Sequence, residues 1–182
     1  MTAAQEQTHQ VFTLDPAHTS VGFVVRHLMI TKVRGRFASV AGTIAIPAGS
    51  DVPDSVEVTI DGSSVDTREP QRDEHLRSAD FLDVGTHPTI TFRSTRITGS
   101  SDAFKIHGDL TIRGTTRPVV LEATSEGSVT DPWGNLRAGY EAETTISRKD
   151  FGLTWNQMLE AGGVAVGDEV RIELNVEAIA QK

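Results

Sequence analysis

The sequence predicts an all-β protein, an antiparallel sheet or barrel of about eight strands with one short helical insertion. Three observations carry that expectation. Apolar residues recur at every second position in one segment after another. The separators are short turn clusters, such as Pro47-Ala48-Gly49-Ser50-Asp51, Arg113-Gly114-Thr115 and Asp131-Pro132-Trp133-Gly134-Asn135, which suit hairpins rather than long crossovers. The stretch from Arg68 to Phe92 breaks the pattern: Arg72, Asp73, Glu74, His75 and Arg77 crowd into six residues, followed by an apolar-aromatic run and a His-Pro turn.

Taken in order, the first ten residues read as a loose tail, and residues 11–182 as the barrel domain. Thr19 to His27 forms a strand with Val21, Phe23, Val25 and His27 on one parity, pointing inward. Arg36 to Ile46 reads as the next strand, with Gly42 marking a bulge or bend. Val56, Val58 and Ile60 share the face of a third. The helix follows, near residues 70–79: Pro70 suits the first turn, where its missing N–H has no intrahelical role. Within Gln71 to Ser78, Arg72, His75 and Leu76 fall on one face, and Asp73 and Arg77 form an i, i+4 pair on a neighbouring one. Ile90, Phe92 and Ser94 resume the alternation. Phe104, Ile106, Leu110 and Ile112 continue it across Gly108. Val119 to Ser125, Leu136 to Ser147 and Val170 to Ala180 complete the set. Arg148-Lys149-Asp150 leads from one strand toward the Gly-rich loop Glu160 to Gly167, a rim or a surface connection.

Composition narrows the function. With 182 residues, 37% hydrophobic and 23% charged, the chain suits one domain with one substantial core. A formal net charge of −8 argues against nonspecific binding to nucleic acid or anionic membranes. There is no cysteine, which excludes disulfides, thiol nucleophiles and Cys-type metal centres. The N-terminal segment lacks the basic and apolar regions of a signal peptide, and no stretch reaches the roughly 20 apolar residues of a membrane span. The sequence expectation is therefore a cytoplasmic protein without stable membrane insertion.

Catalytic spacing is absent. There is no H-x-x-x-H, H-x-H or H-E-x-x-H for a metal, no G-x-S-x-G elbow and no P-loop. No enzyme activity, catalytic residue, metal or cofactor is expected on these grounds. The rivals are a metal-dependent or acid/base site in which folding gathers His18, His27 and His75, and a stress-related structural module with a filled barrel.

A closed barrel of eight strands is either packed with side chains or wide enough for one elongated ligand. The inward candidates are often small: Gly22, Ala38, Gly42, Gly108, Ala138, Gly139 and Ala142. Aromatics make up only 5% of the chain. Both point to a hollow interior. Its apolar lining is expected from Phe23, Phe37, Phe81, Phe92, Phe104 and Phe151. The helix offers Arg72, His75 and Leu76 to the mouth, with Asp73 fixing their orientation. His27 is the polar candidate inside, and Arg148 stands at the rim.

A set of motifs running almost end to end then carries a resemblance. They are Leu14-Asp15-Pro16-Ala17-His18-Thr19, Phe23-Val24-Val25-Arg26-His27, Gly35-Arg36-Phe37, Arg72-Asp73-Glu74-His75-Leu76-Arg77-Ser78-Ala79-Asp80-Phe81, His87-Pro88-Thr89-Ile90-Thr91-Phe92, Gly108-Asp109-Leu110-Thr111-Ile112-Arg113-Gly114 and Arg148-Lys149-Asp150-Phe151-Gly152. In order and spacing the chain resembles the YceI-like family of polyisoprenoid- or lipid-binding proteins. The resemblance implies a lipocalin-like, eight-stranded antiparallel barrel with a long apolar tunnel for a polyprenyl, isoprenoid-quinone or fatty-acyl chain. The implied partner is one long apolar molecule that the protein sequesters or transports, with no nucleic acid. A homodimer is compatible with the sequence. Many relatives are secreted, so the resemblance does not carry the cytoplasmic expectation.

Overall fold

Alternation with short turns produces strands in close succession, and the computed structural model, which describes residues 8–182, shows eleven of them. They are β1 (His9–Leu14), β2 (Ser20–His27), β3 (Thr31–Phe37), β4 (Val40–Pro47), β5 (Ser55–Asp61), β6 (Val65–Asp66), β7 (Thr89–Ser100), β8 (Ala103–Ile112), β9 (Thr115–Thr130), β10 (Leu136–Ser147) and β11 (Val166–Ala180). One helix, α1 (Pro70–Arg77), lies between β6 and β7. Pairing runs β1-β4-β5-β7-β8-β9-β10-β11, and β11 returns to β1, closing an eight-stranded antiparallel barrel.

Strand breaks make this barrel long. The end of β11 pairs with β1, Leu14 opposite Ala178, whereas its first part pairs with β2, Val21 opposite Leu174. β1 and β2 are thus two halves of one wall, and β4 and β3 are two halves of the next. The expected single strand from Arg36 to Ile46 is accordingly two. The chain breaks at Ala38-Ser39, whose amides bond to the Ser64 carbonyl and hydroxyl, both at 3.1 Å. Pairing passes there from β6 to β5. His9 and Gln10, expected in the tail, instead pair with Pro47 and Ile46; the tail's residues 1–7 lie outside the described residues.

α1 forms where the sequence predicts it. The Glu69 carboxylate accepts from the Gln71 and Arg72 amides at 3.3 and 2.6 Å, satisfying two donors of the first turn. Pro70 takes the first helical position. After Ser78 the chain doubles back, with the Leu82 amide on the Leu76 carbonyl and the Val84 amide on the Arg77 carbonyl. The expected Asp73–Arg77 pair does not form. Asp73 turns inward to Thr67, while Arg77 donates to the Ser63 and Val65 carbonyls. On the other side, Arg113 donates to the Ala79 and Phe81 carbonyls at 2.6 and 2.7 Å. Among the described residues, β6 pairs only with β3. The helix and its return segment therefore bridge from β6 to the end of β8 and complete the wall.

One half of the barrel is solid. Phe12, Ile44, Ile46, Val56, Phe104, Ala138, Tyr140 and Ala178 are buried there. The Phe104 and Tyr140 rings meet edge-on at 6.1 Å, and the Tyr140 hydroxyl donates to the Asp51 carbonyl at 2.9 Å. The β2-β3-β6 half is where the interior opens.

Candidate functional site

The open half encloses a cavity of about 440 Å³, within the range of small-molecule sites. Ten of the eleven side chains singled out in the sequence border it: Phe23, His27, Phe37, Arg72, His75, Leu76, Phe81, Phe92, Arg148 and Phe151. Aliphatic residues of β2, β5, β7, β8 and β11 fill in the walls, among them Val21, Ile60, Ile90, Leu110 and Ile172.

Phe104 is the exception, packed in the solid half against Tyr140. Its inward parity is right and its depth is wrong. Direct cross-strand partners run Phe104, Ala123, Ala142, Leu174, Val21, Phe37 and Val65. Because barrel strands tilt against the axis, such a row climbs from one end to the other. Leu174, Val21, Phe37 and Val65 reach the cavity, and Phe104 stays below it.

The cavity is kept open by glycines that the sequence reading weighed differently. Of its small inward candidates only Gly22 borders the space. Gly108 makes room for a ring: a Cβ there would stand 2.7 Å from Phe92 Cε2 and 2.6 Å from the Arg93 carbonyl oxygen. Gly35, which that reading did not single out, lies opposite Phe23, and a Cβ there would overlap the Phe23 ring. The ends of these two lining rings thus occupy the space that a Cβ at Gly35 or Gly108 would take.

Polar groups gather where α1 meets the cavity. Thr67 is 4% exposed and Asp73 7%. One Asp73 oxygen accepts from the Thr67 amide at 2.8 Å and its hydroxyl at 2.6 Å. The same hydroxyl accepts from Arg72 Nε at 2.7 Å, and the Thr67 carbonyl from Arg72 Nη2 at 2.9 Å. Asp73 therefore orients Arg72 through Thr67. One turn on, His75 Nε2 lies 2.9 Å from Asp80, and its ring stands edge-on to Phe81 and Trp155 at 5.0 and 4.6 Å. His27 keeps inward parity, but β2 ends there and its ring is exposed at the rim rather than enclosed.

Arg148 does not offer its charge to the lumen. It is 4% exposed, and its guanidinium donates to the carbonyls of Gly167, Leu153, Trp155 and Val166. Burial pushes its pKa down, and Asp168 at 3.7 Å opposes that. The side chain pins both ends of the segment from Leu153 to Gly167. Asn156 reinforces it by bonding the Val166 amide and carbonyl. The loop is thereby an anchored rim that presents Trp155 to His75.

The three histidines of the enzyme alternative do not converge. His18 sits in the β1–β2 connection with Nδ1 2.8 Å from Asp15, and His27 ends β2. Among the described residues, the grouping with metal-ligand reach is Asp15, His18 and Glu177. Arg137 already donates to both of its carboxylates, at 2.8 and 2.7 Å, and none of the three borders the cavity.

The YceI-like domain model matches residues 12–178. The chain belongs to the YceI-like family. A UPF0312 protein of Pectobacterium atrosepticum is 42% identical over 171 residues, covering 94% of this chain and 86% of that protein. The Campylobacter jejuni YceI protein superposes with a TM-score of 0.76 at 30% identity, over 93% of this chain and 97% of that one. A Saccharophagus degradans domain described as polyisoprenoid binding shares the fold at a TM-score of 0.69 and 15% identity, over 93% and 98% of the two chains.

Within this YceI-like barrel, Thr67 and Trp155 are the polar-network and aromatic members of the lining that the sequence did not single out. Thr67 lies six residues before the Asp73 it meets, too far for any local spacing rule. Trp155 carried a usable signal: it is one of only two tryptophans in the chain, in a segment with no alternation.

Proposed function

We propose that the chain binds one long-chain apolar molecule inside the barrel, shields it from water and carries it without a chemical step. The observation that carries this reading is the half-hollow interior itself: about 440 Å³ walled mainly by aliphatic and phenylalanine side chains. An apolar space of that size in water favours an apolar occupant. Each buried methylene contributes about 0.8 kcal/mol, so roughly ten carbons supply about 8 kcal/mol before the costs of association.

A carrier must also load and release. Exposed apolar residues beside the mouth support such a path: Ile30 and Met158 are 77% and 78% exposed. They lie on two loops tied together by the Leu28 amide on the Ala165 carbonyl. A prenyl, quinone-type or fatty-acyl chain fits the reading, and the polyisoprenoid-binding description of the Saccharophagus neighbour supports the first.

Mass spectrometry of the organic extract of purified protein tests it, beside an unrelated protein purified in parallel. A long-chain lipid present in near-stoichiometric amount only in the first extract is the expected result. Failure to retain any long-chain lipid, native or added, would sink the reading.

A further inference from the structure

The charges bordering the cavity are all of one sign. Arg26, Arg72 and Arg148 are among the lining residues with His27 and His75, and among the described residues no aspartate or glutamate is. This occurs in a chain with 25 acidic and 17 basic side chains. The three arginines are not equivalent. Arg148 is saturated by backbone carbonyls, and Arg26 is exposed at the rim. Arg72 is half-buried, held by two hydrogen bonds to Thr67, and makes no ion pair among the described residues. Its Nη1 has no hydrogen-bond partner among them.

Buried cations are normally paired, because desolvating a lone charge is costly. Here a half-buried guanidinium stands without an ion-pair partner among the described residues, at the point where an apolar pocket meets its polar mouth. Asp73, the nearest acidic group in the network, is turned to Thr67 and fixes the guanidinium's orientation instead of capping it. Asp80 engages His75 from outside the lining.

We infer that the occupant is an anionic amphiphile, whose carboxylate or phosphate head lies against the Arg72 guanidinium while its tail fills the lumen. Planar guanidinium donors match both oxyanions. The inference rests on the carrier reading and names its ligand class.

The test uses the full chain stripped of lipid and four matched ligands: a long-chain fatty acid against its methyl ester, and a prenyl phosphate against its prenol. Binding is measured for wild type, Arg72→Met and Arg72→Lys. Wild type is expected to prefer each anion by about tenfold or more, the scale of a charge-assisted hydrogen bond. Arg72→Met is expected to lose that preference, each anion falling to the affinity of its neutral partner, and Arg72→Lys to keep part of it. Inorganic phosphate alone is expected not to displace the prenyl phosphate, since it brings no tail. Equal wild-type affinity for charged and neutral partners would overturn the inference while leaving the carrier intact, and needs no variant to fold. An unchanged preference in Arg72→Met, or displacement by micromolar phosphate, would overturn it too. Binding of none of the four would instead strike the carrier reading itself.

Discussion

Phe23 and Gly35 face each other across β2 and β3, and the absence of a Cβ at Gly35 is what lets the Phe23 ring lie against the barrel wall. A methyl there would stand 2.8 Å from both Cε atoms of the ring. The ring is the movable partner, and Phe37, whose centroid lies 5.6 Å away, limits where it can go. Gly35→Ala is therefore expected to swing Phe23 into the lumen. Stability should fall by about 1–3 kcal/mol, the usual cost of overpacking. Uptake of a long-chain probe should fall more sharply than stability. Unchanged uptake with Phe23 still in contact with residue 35, seen by NMR, would contradict this.

Arg148 is expected to matter for the rim and not for ligand charge. Arg148→Met takes the guanidinium donor from the carbonyls of Gly167, Leu153 and Trp155, while that of Val166 keeps its bond from Asn156. Each buried unsatisfied group costs about 1–3 kcal/mol, so a loss of roughly 3 kcal/mol or more is expected in urea unfolding. Lysine, a point charge without the fork, should not restore it. Hydrogen exchange should rise first in residues 153–167. Faster exchange confined to α1 would point elsewhere.

Thr67→Val probes the relay between Asp73 and Arg72. The substitution keeps the shape and removes the hydroxyl that donates to Asp73 at 2.6 Å and accepts from Arg72 at 2.7 Å. Destabilisation of about 1–3 kcal/mol is expected from the stranded partners, with increased exchange in α1. A variant as stable as wild type, with α1 equally protected, would show that the relay is dispensable.

These predictions mark what local sequence could and could not reveal. The face of α1 that meets the cavity was legible because i, i+3 and i+4 spacing is a property of eight consecutive residues. Inward parity was legible for Phe23, Phe37 and Phe92 for the same reason. Depth along the barrel was not, since it depends on strand tilt and register, and Phe104 was misplaced on that account. Arg148 shows a second limit. Charge and position suggested a ligand contact, but four carbonyls brought together by the return of the chain at β11 claim its donors. The break at Ala38-Ser39 was hidden because the alternation continues across it while the partner strand changes.

Acid should loosen the outer network at the β1–β2 break. Asp131 accepts from Arg137 Nε at 2.7 Å, and that bond, with others from Asn135 and Trp133, holds its carboxyl far below the usual range. Asp15 is lowered as well, first by His18 and then by Arg137. A carboxyl depressed in the folded state adds stability above its unfolded pKa, near 4 for aspartate, and loses it as pH falls further. The urea midpoint should therefore hold from neutral pH to about 4 and drop below it. Asp131→Asn should be less stable at neutral pH and lose less on acidification. An acid slope as steep as wild type's would remove Asp131 from the account.

The solid half can be read through one group, because Tyr140 is the only tyrosine in the chain. Burial, with a smaller contribution from Asp51, pushes its phenol up to about 12. Its hydroxyl keeps a hydrogen bond to the Asp51 carbonyl, which only the protonated form can donate. The folded state thus holds this proton more tightly than the unfolded chain, whose phenol titrates near 10. The stability linked to it is complete below about pH 10 and is lost as pH climbs toward 12. Phenolate absorbance of the folded protein should accordingly remain low through pH 10 to 11 and rise near 12, while urea-unfolded protein titrates near 10. Tyr140→Phe should abolish the signal and flatten the alkaline fall in stability between those values. A folded protein that forms phenolate near pH 10 would show that water reaches the ring. The solid end of the barrel would then have to be more open than its packing against Phe104 implies.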